Sequence, residues 1–297
     1  MAERLEVKTD DGRVLEVLTG GDPDGLPWLY HGGSPTAAVP YPVFEDTAAR
    51  LGLQMVTYSR PGYGTSTPYP WTCGAPRIVD DVADSVAILD HLGTTEFVTL
   101  GWSGGGPRAL ACGAVLPDRC LAVATLAGVA PKDGDGLDWF EGMAPENRAE
   151  YAAAEQGAEA YADYLTHDFL PILRAPHDEL VAAMGGLLTP VDAAVFTDEL
   201  GDYLARSLHH AGAQGVVGAR DDGLAATRPW GFDLGAVRVP VAVWQGRQDA
   251  MVPFAHGEWL VAHVPGAEAH LFDDEGHLSL AVRIEEILTD LRRLAGR

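Results

Sequence analysis

Short apolar runs that stop at glycine or a polar turn constrain this chain more than any other feature. The run at 27–30 ends at His31-Gly32-Gly33. The run at 53–58 ends at Ser59-Arg60-Pro61-Gly62, and the run at 97–100 at Gly101-Trp102-Ser103-Gly104-Gly105-Gly106. Further runs at 121–126, 239–244 and 269–272 end at Ala127-Gly128, at Gln245-Gly246, and at three acids followed by Gly276. Each places apolar residues on both faces, as strands of a parallel sheet covered on both sides must. The intervening stretches carry helical spacing, as with Ile78, Val82, Val86 and Leu89 between 76 and 92. Further helices are expected from 103 to about 116, from 253 to 263 and from 278 to 294. Strands alternating with helices predict an α/β class with a mostly parallel central sheet flanked by helices. The first 20 residues differ, because Leu5 and Val7, then Val14 to Leu18, flank Asp11-Gly12 and read as a β-hairpin.

The rhythm breaks between 131 and 230, which is rich in alanine and glutamate, carries helical patterns at 151–165 and 192–209, and contains no strand run. It reads as a helical insertion, leaving 1–130 and 231–297 as one α/β core. A chain of 297 residues, 47% of them hydrophobic, can bury a core of that size.

Charge excludes some partners. With 43 acidic against 20 basic residues the formal charge is −23, a field that repels nucleic acid and anionic membranes. No apolar run approaches the roughly 20 residues of a membrane span. The charged start MAERLEVKTDDGR lacks the apolar stretch of a signal peptide, so the chain reads as cytoplasmic. Cys73, Cys112 and Cys120 show neither disulfide nor metal-ligand spacing and are expected as reduced thiols. No metal site is expected, and the sequence leaves room for a homo-oligomer.

Gly101 to Gly105 fits G-x-S-x-G between a strand and a helix. Alone it is equally a glycine-rich turn. At a sharp strand-to-helix turn, however, it would lift the Ser103 hydroxyl above the carboxyl ends of the strands, where open α/β sheets bind ligands. A serine hydroxyl needs a basic partner and that base needs an orienting carboxylate, found in such folds in the chain order serine, acid, histidine. Asp249, after the run at 239–244, and His277, after the run at 269–272, supply that order. Asp133 and Asp135 are the rival acids. Asp249 could also cap the helix expected after it.

These segments together resemble the α/β-hydrolase fold over nearly the whole chain. Gly246 to Pro253 around Asp249, and Gly276-His277, are similar to the family's acid and histidine loops. His31-Gly32-Gly33-Ser34-Pro35 resembles its oxyanion loop, and Arg60-Pro61-Gly62-Tyr63-Gly64-Thr65-Ser66 its R-P-G-x-G-x-S segment. The resemblance implies backbone N–H donors at Gly104 and at Gly33, or else Ser34, and makes the insertion at 131–230 a cap or lid. Trp102 and Ser34 are expected to touch substrate. Trp139, Phe140, Tyr161 and Tyr164 are candidates for an apolar pocket wall, His31 for bracing its own loop, and Arg60 for tying loops together.

The expected chemistry is hydrolysis of a small-molecule ester through an acyl-serine, with no metal or organic cofactor. Relatives that open epoxides or displace halide carry aspartate at the elbow, where this chain has Ser103. A proline-iminopeptidase-like peptidase and a C–C bond hydrolase are the alternatives. The peptidase pattern HGGPG is broken here by Ser34 and Thr36. Cofactor-free perhydrolysis would suit the same architecture. A ligand sensor on the same scaffold is the alternative of a different class.

Overall fold

Eight strands form one sheet: β1 (Glu3–Lys8), β2 (Val14–Gly21), β3 (Leu26–His31), β4 (Leu53–Tyr58), β5 (Phe97–Trp102), β6 (Cys120–Leu126), β7 (Val241–Gly246) and β8 (Glu268–Phe272). Their order across the sheet is β1-β2-β4-β3-β5-β6-β7-β8. The structure is a computed structural model that describes residues 2–71, 74–196 and 198–297. Cys73 lies outside the described residues, while Cys112 and Cys120 are buried free thiols. β1 and β2 pair antiparallel through the hairpin read at Asp11-Gly12, where Gly12 takes φ 85. β2 runs antiparallel to β4, and every pairing from β4 to β8 is parallel.

The double-sided apolar character of the strands follows from helices on both faces. Every residue of β5 is buried. Val98 and Leu100 pack into one core with Trp28, Phe44, Trp244 and Ile287, which the helices Pro42–Arg50 and Ile284–Leu294 help to cover. Phe97 points into the opposite core with Val56, Ile88, Leu110, Val243 and Leu260, beneath the helices Asp81–His91, Gly106–Val115 and Phe254–His263. Each fully buried aliphatic or aromatic side chain there contributes about 1.5–3 kcal/mol.

Between β6 and β7 the described residues form helices and no strand. Their boundaries depart from the periodicity. The stretch expected as one helix over 151–165 is the helices Pro145–Glu155 and Ala158–Tyr164, interrupted at Gly157, whose φ of 112 ends the first turn pattern. The stretch at 192–209 is likewise Pro190–Val195 and Asp198–Ala211, the first closing where Phe196 takes ψ 70. No described helix is long and apolar enough to cross a membrane.

Candidate active site

The strand register brings the candidate residues together. His31, the last residue of β3, pairs with Gly101 of β5, so the segments that leave these strands start side by side. The chain turns in opposite directions along the sheet from β3 and β5, which is where open α/β sheets form a ligand crevice. β5 continues to Trp102, and Ser103 follows at φ 55, a left-handed conformation costly for a residue with a side chain. The turn is too tight for side chains on either side. A Cβ at Gly101 would collide with the Gly105 carbonyl oxygen, and one at Gly105 with the His31 carbonyl oxygen. Across the gap, a Cβ at Gly33 would stand 3.2 Å from the Ser103 Cβ and 3.8 Å from its Oγ. The backbone at Gly33 therefore lies against the serine.

The second half of the site rests on the neighbouring register of β7 and β8, where Gly246 pairs with Phe272. Arg247 N donates to Phe272 O at 2.8 Å and Gln248 N to Glu275 O at 2.8 Å, which binds the two outgoing loops to one another. His277 Nδ1 and Asp249 Oδ2 are 2.8 Å apart, and both residues are buried. Asp249 also caps its own turn, because its Oδ1 accepts from Met251 N and Val252 N, each at 2.8 Å. The capping role and the histidine contact thus use different oxygens of one carboxylate. Burial opposes the charged imidazole, but the Asp249 charge and hydrogen bond, with Asp192 beyond them, outweigh it and raise the His277 pKa above the ordinary 6.5. The Trp102 ring stacks on His277 with centroids 6.1 Å apart.

Gly33, Ser34, Trp102, Ser103, Gly104 and His277 all line one cavity of about 150 Å³. The rival acids do not join them. Asp133 and Asp135 line a separate surface depression with Trp230 and Trp259. The expected aromatic wall is corrected as well. Trp139, Phe140, Tyr161 and Tyr164 are not among the cavity-lining residues, and Tyr151, Phe169 and Tyr203 are. Trp139 instead donates to Ala130 O and packs on His256, while Tyr161 is fully buried behind the wall. His31 is buried between Tyr58 and Cys112, and burial holds its pKa down at about 3, so it stays neutral.

Two acids that no local motif announces help hold the site's loops, one of them together with Arg60, which was expected to tie loops. Asp222, on the helix Val217–Ala226, accepts from Ser34 Oγ at 2.6 Å, Tyr63 Oη at 2.9 Å, Arg60 Nη2 at 2.5 Å and Arg108 Nη2 at 2.7 Å. Those guanidinium groups hold its carboxyl far below the usual carboxylate range. Arg60 also donates to Gly32 O at 2.6 Å and Gly33 O at 2.9 Å, and Arg108 to Gly104 O at 2.6 Å. The Gly32 carbonyl belongs to the same planar peptide unit as the Gly33 N–H, so Arg60 orients that donor. The Ser34 hydroxyl hydrogen is engaged by Asp222, leaving its oxygen on the cavity wall. Asp192 does the equivalent for the histidine loop: Oδ1 accepts from Leu278 N at 2.7 Å and Ser279 N at 3.0 Å, and Oδ2 from His277 N at 3.1 Å. A side chain at Gly276 would occupy the space the Asp192 carboxylate fills. Sequence offered no signal for either acid beyond their being charged residues in a helical stretch.

Glu268, His270 and Asp290 form the described grouping of metal-ligating type, at β8 and the last helix. Arg293 Nη2 already bridges Glu268 at 2.5 Å and Asp290 at 2.7 Å, supplying the cation there.

Comparison with known proteins agrees with this topology. The family described as alpha/beta hydrolase fold matches residues 29–283. A pimeloyl-[acyl-carrier protein] methyl ester esterase from Aromatoleum aromaticum is 31% identical over 80% of this chain and 88% of its own. A probable proline iminopeptidase from Leptolyngbya boryana is 24% identical over 91% of this chain and 87% of its own. Among solved structures, a bromoperoxidase from Bacillus anthracis superposes with a TM-score of 0.73 at 19% identity, covering 98% of this chain and 100% of that one. The sheet order, the elbow at its centre and these matches together make the chain a member of the alpha/beta hydrolase fold family and a hydrolytic enzyme of that fold.

Proposed function

We propose that this enzyme hydrolyses a carboxylic ester of a small molecule through an acyl-serine. The observation that carries the reading is the buried 2.8 Å contact between His277 Nδ1 and Asp249 Oδ2, with His277 and Ser103 on the wall of one cavity and Gly33 packed against the serine. An Nδ1–H donated to Asp249 leaves Nε2 free to accept a proton. In this reading Ser103 Oγ attacks the carbonyl carbon while His277 takes its proton. The tetrahedral oxyanion is bound by the N–H groups of Gly33 and Gly104, each such donor contributing about 3–4 kcal/mol to the transition state. His277 then returns the proton to the leaving group, and Asp249 stabilises the imidazolium between these steps. Water, deprotonated by His277, adds to the acyl-serine and releases the acid. The balance needs only ester and water.

In this reading the helical segment at 131–230 acts as a cap, because Asn147, Tyr151, Phe169 and Leu204 on it line the cavity. Ester over peptide is favoured by the relative named a methyl ester esterase and by the broken HGGPG pattern at Ser34. The test is release of nitrophenol from a short activated ester, run beside a matched anilide. The intact chain should cleave the ester, and Ser103→Ala should lose at least about 10⁴-fold in kcat. Turnover by Ser103→Ala at the parent rate would remove the serine from the reaction.

A further inference from the structure

Two acids with carboxyl groups line the cavity, and they are treated differently. Asp222 is matched by Arg60 and Arg108. Glu150, on the helix Pro145–Glu155, has no basic partner among the described residues. Its Oε1 accepts from Tyr161 Oη at 2.7 Å, and its half-buried side chain lies on the cavity wall among Asn147, Tyr151, Phe169 and Ile172. The groups that face it are Tyr151 on its own helix, Tyr161 and Tyr164 on the next, and Asp222 on the helix Val217–Ala226. None of these is a cation, and Arg108, the arginine on the same cavity wall, is already paired with Asp81 and Asp222. A carboxylate in an apolar cavity without a countercharge is unfavourable, and a ligand that brings the countercharge gains a charge-assisted hydrogen bond.

We propose that Glu150 is the specificity residue of this cavity and selects substrates that carry a protonated amine. The inference rests on the proposed use of the cavity as the substrate site. Tyr161 fixes one carboxyl oxygen and so aims the group, while Asp222, already neutralised, leaves Glu150 as the acid with attraction to spare. Burial, together with the Asp222 charge, lifts the Glu150 carboxyl to about 7 against the opposing hydrogen bond from Tyr161. A cation should therefore be held more strongly as pH rises through that value, because the carboxyl ionises there.

The experiment measures binding of n-hexylamine and 1-hexanol, matched in shape, to the Ser103→Ala chain by calorimetry. The amine titrates near the lysine value of about 10.4 and remains charged throughout. At about pH 8 the amine should bind at least about tenfold more tightly than the alcohol, and that preference should shrink at about pH 6. Glu150→Gln should abolish the preference at both. Tyr161→Phe, which removes only a hydroxyl, should keep it but move its midpoint to higher pH. A preference that survives Glu150→Gln, or is the same at both pH values in the parent, overturns the inference. Ester turnover by Ser103→Ala with the preference intact would instead overturn the serine mechanism and leave the cation site standing.

Discussion

The sheet rim and the helical segment contribute to the same cavity by opposite means. The rim supplies Ser103, Asp249, His277 and the glycine amides, each on a loop that leaves the carboxyl end of a strand. Strand register starts these loops beside one another. The helical segment supplies none of the three residues of the proposed triad. It contributes buried carboxylates, Asp222 against the oxyanion-side loops and Asp192 against the histidine loop. The proposed reactive groups thus sit on loops of the sheet, while a separate region supplies hydrogen-bond partners to those loops. The helical segment and the rim loops are therefore energetically linked through these hydrogen bonds.

Substitutions in the two regions should separate their contributions, beginning with the rim. Asp249→Asn should lower kcat for an activated ester by about 10⁴-fold by favouring the wrong histidine tautomer, with little change in melting temperature. A loss of less than tenfold would mean that the acid at this rim lies elsewhere. Asp222→Asn leaves Arg60 and Arg108 buried without their shared anion, and should cost about 3–5 kcal/mol in urea unfolding. It should also lower kcat more than it raises KM, because the Gly33 amide loses its support. An unchanged unfolding midpoint would separate the two regions after all.

Asp192→Asn should be milder, costing about 1–3 kcal/mol through poorly matched N–H donors at His277, Leu278 and Ser279. Its pH profile carries a sign. In the proposed mechanism His277 must be neutral to accept the serine proton, and its folded pKa is raised above 6.5, so activity should rise with pH through a limb centred above that value. Removing the Asp192 charge removes part of the lift and should move the limb toward lower pH; a shift to higher pH would contradict the assignment. Smallest of all, Asp133→Ala should change neither turnover nor stability beyond about 0.5 kcal/mol, as expected of a surface acid outside both regions.

Much of the rim was legible because its chemistry is written in short segments. Gly101 and Gly105 flank Ser103 because backbone atoms fill the space of their side chains, and such demands leave a local pattern. Asp249 and His277 follow strands, so their edge of the sheet could be read from strand direction. The helical segment resisted the same reading. Its helices break at Gly157 and Phe196 where periodicity continues, since an amphipathic pattern does not specify where a turn begins. Trp139 and Tyr161 look like pocket aromatics in sequence, yet they pack behind the wall that Tyr151, Phe169 and Tyr203 form.

Sequence alone determined the covered parallel sheet, the sharp turn at Ser103 and the placing of Asp249 and His277 just after strands, because strand pattern and turn sterics act over a few neighbouring residues. It took the folded chain to show that Asp222 answers Arg60 and Arg108, that Asp192 caps the loop of His277, and that Glu150 lines the cavity with no basic partner among the described residues. Those pairings join residues as far apart as Ser34 and Asp222. A buried charge is satisfied by whatever the fold brings within hydrogen-bond reach, and no local spacing in the chain encodes that meeting.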